Sequence, residues 1–458
     1  MQTTPDGGAF FAADKLFANV VATIDQLLQK AGDRAKQIVG VVSDTFVGNV
    51  LGVEGAGEPV TPIFTYADTR NAQDTAQLRN ELGPLGRLQA HDRTGTLIHT
   101  SYLPARFRWL ARTQPATLGS VRYWMSFGEY LLWKLFGQRR ASYSVAAWSG
   151  LLNRRSLTWD AEWLAQLPID VEQLSPLGDI DQPLYGLLPT WAQRWPALDS
   201  IPWFPAIGDG AAANLGSGCD HPDRIALTIG TTGAMRVVLD PALHVVPEGL
   251  WLYRVDERRG LLGGATTEGG NLFAWLRESL QLPPAEQLEQ ALASMTPTTH
   301  GLTVLPFVAG ERAPGWNESA RASLIGFTLN TRPLDVVQAS LEAIAYRFAL
   351  IYTRIAPHLP PATSRQIVAS GGGLLSSPAW LQIFADVLGQ PIVALAEKEI
   401  TSRGIALLGW EQLGLLRHMA DLPPATGKTY QPNASHHDLH RAAIERQVAY
   451  YNTLLAPQ

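Results

Sequence analysis

Residues 366–389, QIVASGGGLLSSPAWLQIFADVLG, leave the chain little choice of local structure. Gln366 to Ala369 read as a buried strand and Ser370-Gly371-Gly372-Gly373 breaks it. Ser376-Ser377-Pro378 then supply the capping hydroxyls and the first-turn proline of a helix over 378–390. A strand that hands over to a capped helix within so few residues is the repeating unit of an α/β protein. Three glycines also let a flat or charged ligand approach the backbone, where the helix N-terminus favours phosphate. A tight strand-to-helix connection needs the same residues, so both readings stand.

The rest of the chain keeps that logic. Residues 10–30 place Phe10, Leu16, Val20, Ile24 and Leu27 at helical spacing, Ile38–Val42 and Val50–Val53 read as strands, and residues 71–82 read as a helix. Residues 100–165 are rich in Trp, Tyr and Leu at helical spacing, and Pro176 to Pro205 reads as a long irregular connection. TVLPF reads as a further strand and residues 333–355 as a further helix, and the composition changes near 205–225. Two α/β lobes, joined there, would enclose a ligand cleft.

Hydrophobic residues make up 46% of the 458 and charged residues 17%, which supports a large core and excludes wholesale disorder. Lys and Arg number 36 against 41 Asp and Glu, a net charge of −5, so a nucleic-acid partner is not expected. The one cysteine, Cys219, can form neither an internal disulfide nor a cysteine-based zinc site. No apolar run reaches the roughly 18 residues of a membrane span, and the start MQTTPDGGAFFAADKLF lacks the order of a signal peptide. A cytoplasmic protein without a membrane partner is expected.

In IALTIGTTGAMRVV, the strand Ile225–Ile229 runs into Gly230-Thr231-Thr232-Gly233 and a second strand, Met235–Val238, follows. Small residues there free backbone N–H groups and two hydroxyls for an anion, although an ordinary Gly-Thr hairpin turn accounts for the same pattern. Asp209 in Ile207-Gly208-Asp209-Gly210 has no nearby cation in sequence, and is either a general base for a hydroxyl or a turn-forming aspartate. Asp68 and Arg70 in TYADTR are a structural ion pair or polyol ligands. His436, His437 and His440 lie in a polar segment and read as a solvated surface cluster rather than a metal site.

Taken in order, IGDGAAANLGSG, IGTTGAMRVV, LPFVAGERAPGWNESARASLIGF, ASGGGLLSSPAWLQIFADVLGQPI and ITSRGIALLG resemble the FGGY family of carbohydrate kinases, which includes gluconokinases, xylulokinases and glycerol kinases. YADTR and HTSYLPARFRWL are similar to its first domain. The resemblance implies an α/β protein of two ribonuclease H-like (actin-like ATPase) domains around a cleft. Residues 1–222 would form the sugar-binding domain and 223–458 the nucleotide-binding domain. It implies ATP-dependent phosphorylation of a sugar or sugar acid, with the gluconokinase-like branch preferred on the YADTR and GDGAAANLGSG wording. Asp209 would be the catalytic base. Gly230, Thr231, Thr232 and Gly233 would touch the triphosphate, Gly371, Gly372, Gly373 and Ser377 would border the adenosine, and Gly270 would line the nucleotide pocket. Val47, Gly48, Asp68, Arg70 and Tyr102 would join Asp209 at the sugar. Magnesium would bridge the phosphates, although no protein ligand for it is identifiable, and a homodimer is compatible with the family.

Two departures accompany the resemblance. The family's first hairpin carries an Asp-x-Gly-Thr-Thr/Ser loop that helps to hold magnesium and phosphate, and MQTTPDGGAFFAADKLF resembles the segment that follows it. The first domain is therefore expected to lack its initial strands, which leaves a non-catalytic sugar- or nucleotide-binding remnant as the alternative. Val47 and Gly48 stand where xylulokinases carry Met-His and glycerol kinases Arg-Glu, so both of those specificity signatures are absent.

Overall fold

The computed structural model describes residues 1–242, 245–361 and 365–455. Its largest sheet has seven strands in the order Trp251–Arg254, Gly260–Thr266, Gly233–Leu239, Arg224–Ile229, Gln366–Ser370, Ile392–Leu395, Thr426–Tyr430. The pairings from Arg224–Ile229 through Gln366–Ser370 to Ile392–Leu395 are parallel, and those on either side are antiparallel. Parallel neighbours need long crossovers, and helices supply them. Pro333–Ile355 lies in the first crossover and Pro378–Leu388 in the second.

Pro333–Ile355 shows why the sequence folds this way. Val337 through Ala349 are buried without a break, polar Gln338, Glu342 and Arg347 included, so the helix is stable only when covered on nearly every side. Asp335 caps its start by accepting from the Arg332 N–H at 2.9 Å. Trp380 of the neighbouring helix is buried against it and donates from Nε1 to the Leu341 carbonyl at 3.1 Å.

The first half uses shorter strands. Asp44–Thr45 pairs in parallel with Ile207–Gly208, Leu51–Val53 pairs with Tyr123–Met125, and Gln2–Thr3, Ala9–Phe11 and Ile63–Phe64 form a small antiparallel sheet. Aromatic residues fill the space between these strands and the helices, with Trp124, Trp163, Trp195 and Phe107 fully buried.

The expected helices over 333–355 and 378–390 and the strands at 225–229, 303–305 and 366–369 are present. Three local expectations are corrected. Phe10 lies in a strand, and the first helix begins at Ala13. Within Ile38–Val42 only Val41 makes a bridge, to Trp203, and the strand forms instead at Asp44–Thr45. His440 is not solvated: it is fully buried and bonded to the Tyr346 hydroxyl at 3.0 Å, while His436 and His437 bond Asp386. The cause is that Ala434–Leu455 is a helix whose inner face packs on Pro378–Leu388.

The halves are clasped where Asp209–Gly216 crosses Ile400–Gln412. A Cβ at Gly216 would sit 1.7 Å from the Ile400 carbonyl oxygen, and one at Gly404 would sit 1.8 Å from that of Ala212. Backbone meets backbone here, so no side chain can swing aside. Gly404→Ala should therefore destabilise the fold by about 1–3 kcal/mol or more, the usual cost of overpacking a rigid contact. Thermal unfolding of the variant checks this, and an unchanged melting temperature would show that the helices separate freely.

Candidate functional site

Asp209 opens its helix directly after the strand Ile207–Gly208. Its carboxylate accepts from the Gly210 N–H at 2.7 Å and is in no salt bridge among the described residues. Burial raises its pKa, while the Gly210 N–H and the positive charge of Arg236 pull the other way. Asp44, on the paired strand, is also raised, first by burial and then by the Asp209 charge, so the two carboxylates sense each other.

The flanking glycines are required by space. Gly208 has φ −66°, which any residue tolerates. A Cβ there would meet Trp148 Nε1 at 2.8 Å, and one at Gly210 would meet the same indole at 3.3 Å. Trp148 in turn stacks on Tyr253 with ring centroids 3.9 Å apart. Tyr102 approaches Tyr253 from the first half, hydroxyl to hydroxyl, and is buried. Val47 touches the same corner, its Cγ1 2.9 Å from where a Gly208 Cβ would be.

Arg236 and Arg312 complete this neighbourhood. A Gly210 Cβ would lie 3.5 Å from an Arg236 terminal nitrogen. Burial lowers the Arg236 pKa, the Asp209 charge opposes that, and the charge of Arg312 lowers it further.

The two expected glycine loops lie side by side. Their strands pair from Arg224↔Gln366 to Thr228↔Ser370, and the hydroxyls of Thr228 and Ser370 are 2.9 Å apart. Gly270 joins them, its N–H donating to the Gly230 carbonyl at 2.8 Å, with the Asn271 N–H on Thr231 at 3.1 Å. A Cβ on Gly270 would lie 2.7 Å from the Gly230 oxygen and one on Gly373 2.9 Å from it, whereas Cβ atoms at Gly230 and Gly372 would meet nothing within 4 Å. Gly371 has φ +90°, which a residue with a side chain adopts only under strain. The result is a backbone cradle, packed within and open above, with Thr231 and Thr232 exposed at its rim.

The other expected site residues have these surroundings. Asp68 is fully buried and ion-paired to Arg70 at 2.6 Å and Arg106 at 2.9 Å, which is the geometry of the structural alternative. The Ser377 hydroxyl caps its own helix through the Trp380 N–H and also donates to Glu289 at 2.8 Å. Gly48 has φ +64°, and a Cβ there would crowd Tyr66 and the Ser101 carbonyl. Among the described residues no three His, Cys, Asp or Glu side chains gather to hold a metal ion.

Comparison with known proteins decides the family. Residues 5–216 match the N-terminal domain and 225–411 the C-terminal domain of the FGGY family of carbohydrate kinases. The chain belongs to that family. It is a carbohydrate kinase with the two-domain actin-like fold. It is 24% identical to a gluconokinase from Bacillus subtilis (strain 168) over 453 residues, 96% of this chain and 85% of that protein. It is 28% identical to a glycerol kinase from Dechloromonas aromatica (strain RCB) over 461 residues, 96% and 89% of the two chains. The structure of gluconate kinase from Lactobacillus acidophilus superposes with TM-score 0.87 at 23% identity, covering 99% of this chain and 91% of that one. Xylulose kinase from the same organism gives 0.88 at 23%, covering 100% and 92%. No helix among the described residues is long and apolar enough to cross a membrane.

The sequence reading missed Asp44, Trp148, Arg236, Tyr253, Arg312 and Glu268. Glu268, beside Gly269 and Gly270, is buried, and burial pushes its pKa from 4.5 up to about 7. The folded value lies above the unfolded one, so folding favours the protonated form. That favourable contribution is complete below about pH 4.5 and is lost as pH rises through about 7. Glu268→Gln should therefore gain thermal stability over the parent at pH 8 and lose that advantage at pH 5. Melting curves across this range check the sign, and an advantage that grows as pH falls would contradict it.

Proposed function

We propose that this kinase transfers the γ-phosphoryl group of ATP to a hydroxyl of a sugar or sugar acid, a gluconate-like substrate being preferred, with Asp209 as the base. The observation that carries the reading is the state of Asp209. It is half-buried, fixed by its own helix and in no salt bridge among the described residues, so carboxylate lone pairs remain for a substrate hydroxyl. Burial raises its pKa and makes it a better proton acceptor than an exposed carboxylate. Two gluconokinases among the relatives support a gluconate-like substrate, while the glycerol kinases beside them keep a neutral polyol as the second reading.

The cradle fits a nucleotide: glycines at its closest approaches leave no side chain in the way, and the space above Gly230 and Gly372 is open. When bound, ATP would supply the phosphoryl group and leave as ADP, and a magnesium ion would neutralise phosphate charge without a cluster of His, Cys, Asp or Glu among the described residues to hold it. Thr231 and Thr232 offer N–H and hydroxyl donors to the phosphates, and Gly270 and Gly371–Gly373 border the nucleoside. Asp209 takes the proton from the attacking hydroxyl and fixes that oxygen for in-line attack. Residues 1–222 carry the sugar side of this division of labour and 223–458 the nucleotide side.

Asp209→Asn should lower turnover about 10²–10⁴-fold while leaving nucleotide affinity nearly unchanged. The assay is coupled ADP release with gluconate, xylulose, ribulose and glycerol, alongside calorimetric titration with ATP. Retention of more than about a tenth of the parent rate would remove Asp209 from the role of base. Nucleotide binding without turnover on any of the four would favour a non-catalytic binding protein instead.

A further inference from the structure

Arg236 and Arg312 enter one neighbourhood from two elements: Arg236 pairs across the sheet with Gly263, and Ala313, next to Arg312, donates its N–H to the Ala265 carbonyl of that same strand at 3.0 Å. Arg236 lies on the strand Gly233–Leu239, in a cross-strand row with Gly263 and Trp251. That face of the sheet carries Trp251 and Tyr253 and is covered by Trp148 from the first half. Arg312 comes from the loop after Thr303–Leu305 and lies over the Trp316 ring at 5.8 Å. The Nε atoms of both arginines, and the Nε1 atoms of Trp148 and Trp251, are buried without a hydrogen-bond partner. Among the described residues neither arginine is in a salt bridge, whereas the buried Arg106 and Arg347 each hold a carboxylate and the buried Arg254 bonds backbone carbonyls.

Two guanidinium groups in one neighbourhood repel each other, and their shielded Nε donors leave hydrogen bonds unmade, both of which cost stability. An anion between them removes both penalties, and a carboxylate matches the guanidinium fork with two parallel hydrogen bonds. Asp209 does not fill this role, since it makes no salt bridge and serves the reacting hydroxyl under the function proposed above. The ATP phosphates are the other candidate anion. Arg236 stands three residues along the strand from Gly233, roughly 10 Å from the phosphate turn. Its terminal nitrogen instead reaches toward Gly210, beside Asp209.

We propose that Arg236 and Arg312 form a carboxylate subsite that selects an aldonic acid over the neutral polyol of the same chain length. The proposal rests on the sugar-kinase reading for the position of the substrate hydroxyl, and on the unpartnered arginines for the position of the carboxylate. Arg236 and Arg312 are specificity-determining residues on this reading, and the Tyr102–Tyr253 hydroxyl pair beside them joins the two halves of the protein.

The test is isothermal titration of the full chain with sodium gluconate and with D-glucitol, its neutral counterpart, repeated on Arg236→Gln, Arg312→Gln and Arg312→Lys. The parent should bind gluconate about 10–100-fold more tightly than glucitol, the value of charge-assisted hydrogen bonds to one carboxylate. Each glutamine variant should collapse that ratio toward one, and Arg312→Lys should leave it intermediate, because it keeps the charge and loses the fork. Equal affinity of the parent for the two ligands, or no binding of gluconate, overturns the proposal without recourse to any variant. An ATP affinity that falls by the same factor as the gluconate affinity also overturns it and assigns the arginines to phosphate. The coupled ADP assay separates the two readings. Gluconate binding lost in the variants, with no turnover by the parent, sinks the kinase reading and keeps the subsite. Turnover of neutral sugars without gluconate preference does the reverse.

Discussion

The crossing of Asp209–Gly216 over Ile400–Gln412 is the contact on which the functional geometry depends. Helices normally approach to 8–10 Å because side chains hold them apart. Here Gly216 and Gly404 remove those side chains at the point of contact, and the carbonyls of Ile400 and Ala212 occupy the space instead. The helix whose first residue is Asp209 is thus anchored at its far end to the second half of the protein. Its near end is fixed by the Ile207–Gly208 strand, and Trp148 closes over both flanking glycines. A carboxylate whose helix is held from three directions keeps its position.

The large sheet supplies the other half of the geometry. Its central parallel strands end together, so the loops after Ile229 and Ser370 become neighbours although about 140 residues separate them in sequence. Its antiparallel edge turns aromatic residues toward the first half, where Trp148 and Tyr102 meet Tyr253. One sheet therefore presents a glycine cradle at its strand ends and a polar, aromatic wall on its face. The Asp209 helix lies between them.

Much of this is legible in the sequence because it is local. Ser377-Pro378 marks a helix start by capping chemistry, and the breadth of apolar residues in 333–355 marks a buried helix. The glycine loops are legible as loops for the same reason. What sequence cannot supply is the long-range reason for a residue. Gly208 and Gly210 look like turn glycines, yet they are small because an indole 60 residues earlier in the chain needs the space. His440 sits in a polar stretch, yet the helix it belongs to turns it inward to Tyr346. Arg236 and Arg312 are far apart in sequence, and only the fold shows that their segments meet and that, among the described residues, neither pairs with a carboxylate.

The contrast between Asp68 and Asp209 shows how one residue type serves two ends in one chain. Both are shielded aspartates, and burial disfavours the charge on each. At Asp68 the penalty is met inside the protein: Arg70 and Arg106 bind both carboxylate oxygens, the pKa is held below the ordinary range, and the group is fixed as a charged strut. At Asp209 the compensation is deliberately weaker. One backbone N–H and an arginine held beyond salt-bridge distance leave the pKa raised and lone pairs open. A direct Arg236–Asp209 pair would stabilise the fold more, but it would occupy the oxygens a substrate hydroxyl needs and lower the basicity of the carboxylate. Holding Arg236 close enough to favour the charged form, and far enough to leave it unbound, keeps the aspartate as an acceptor and the arginine as a donor. Under the function proposed above, both remain available to the same small molecule.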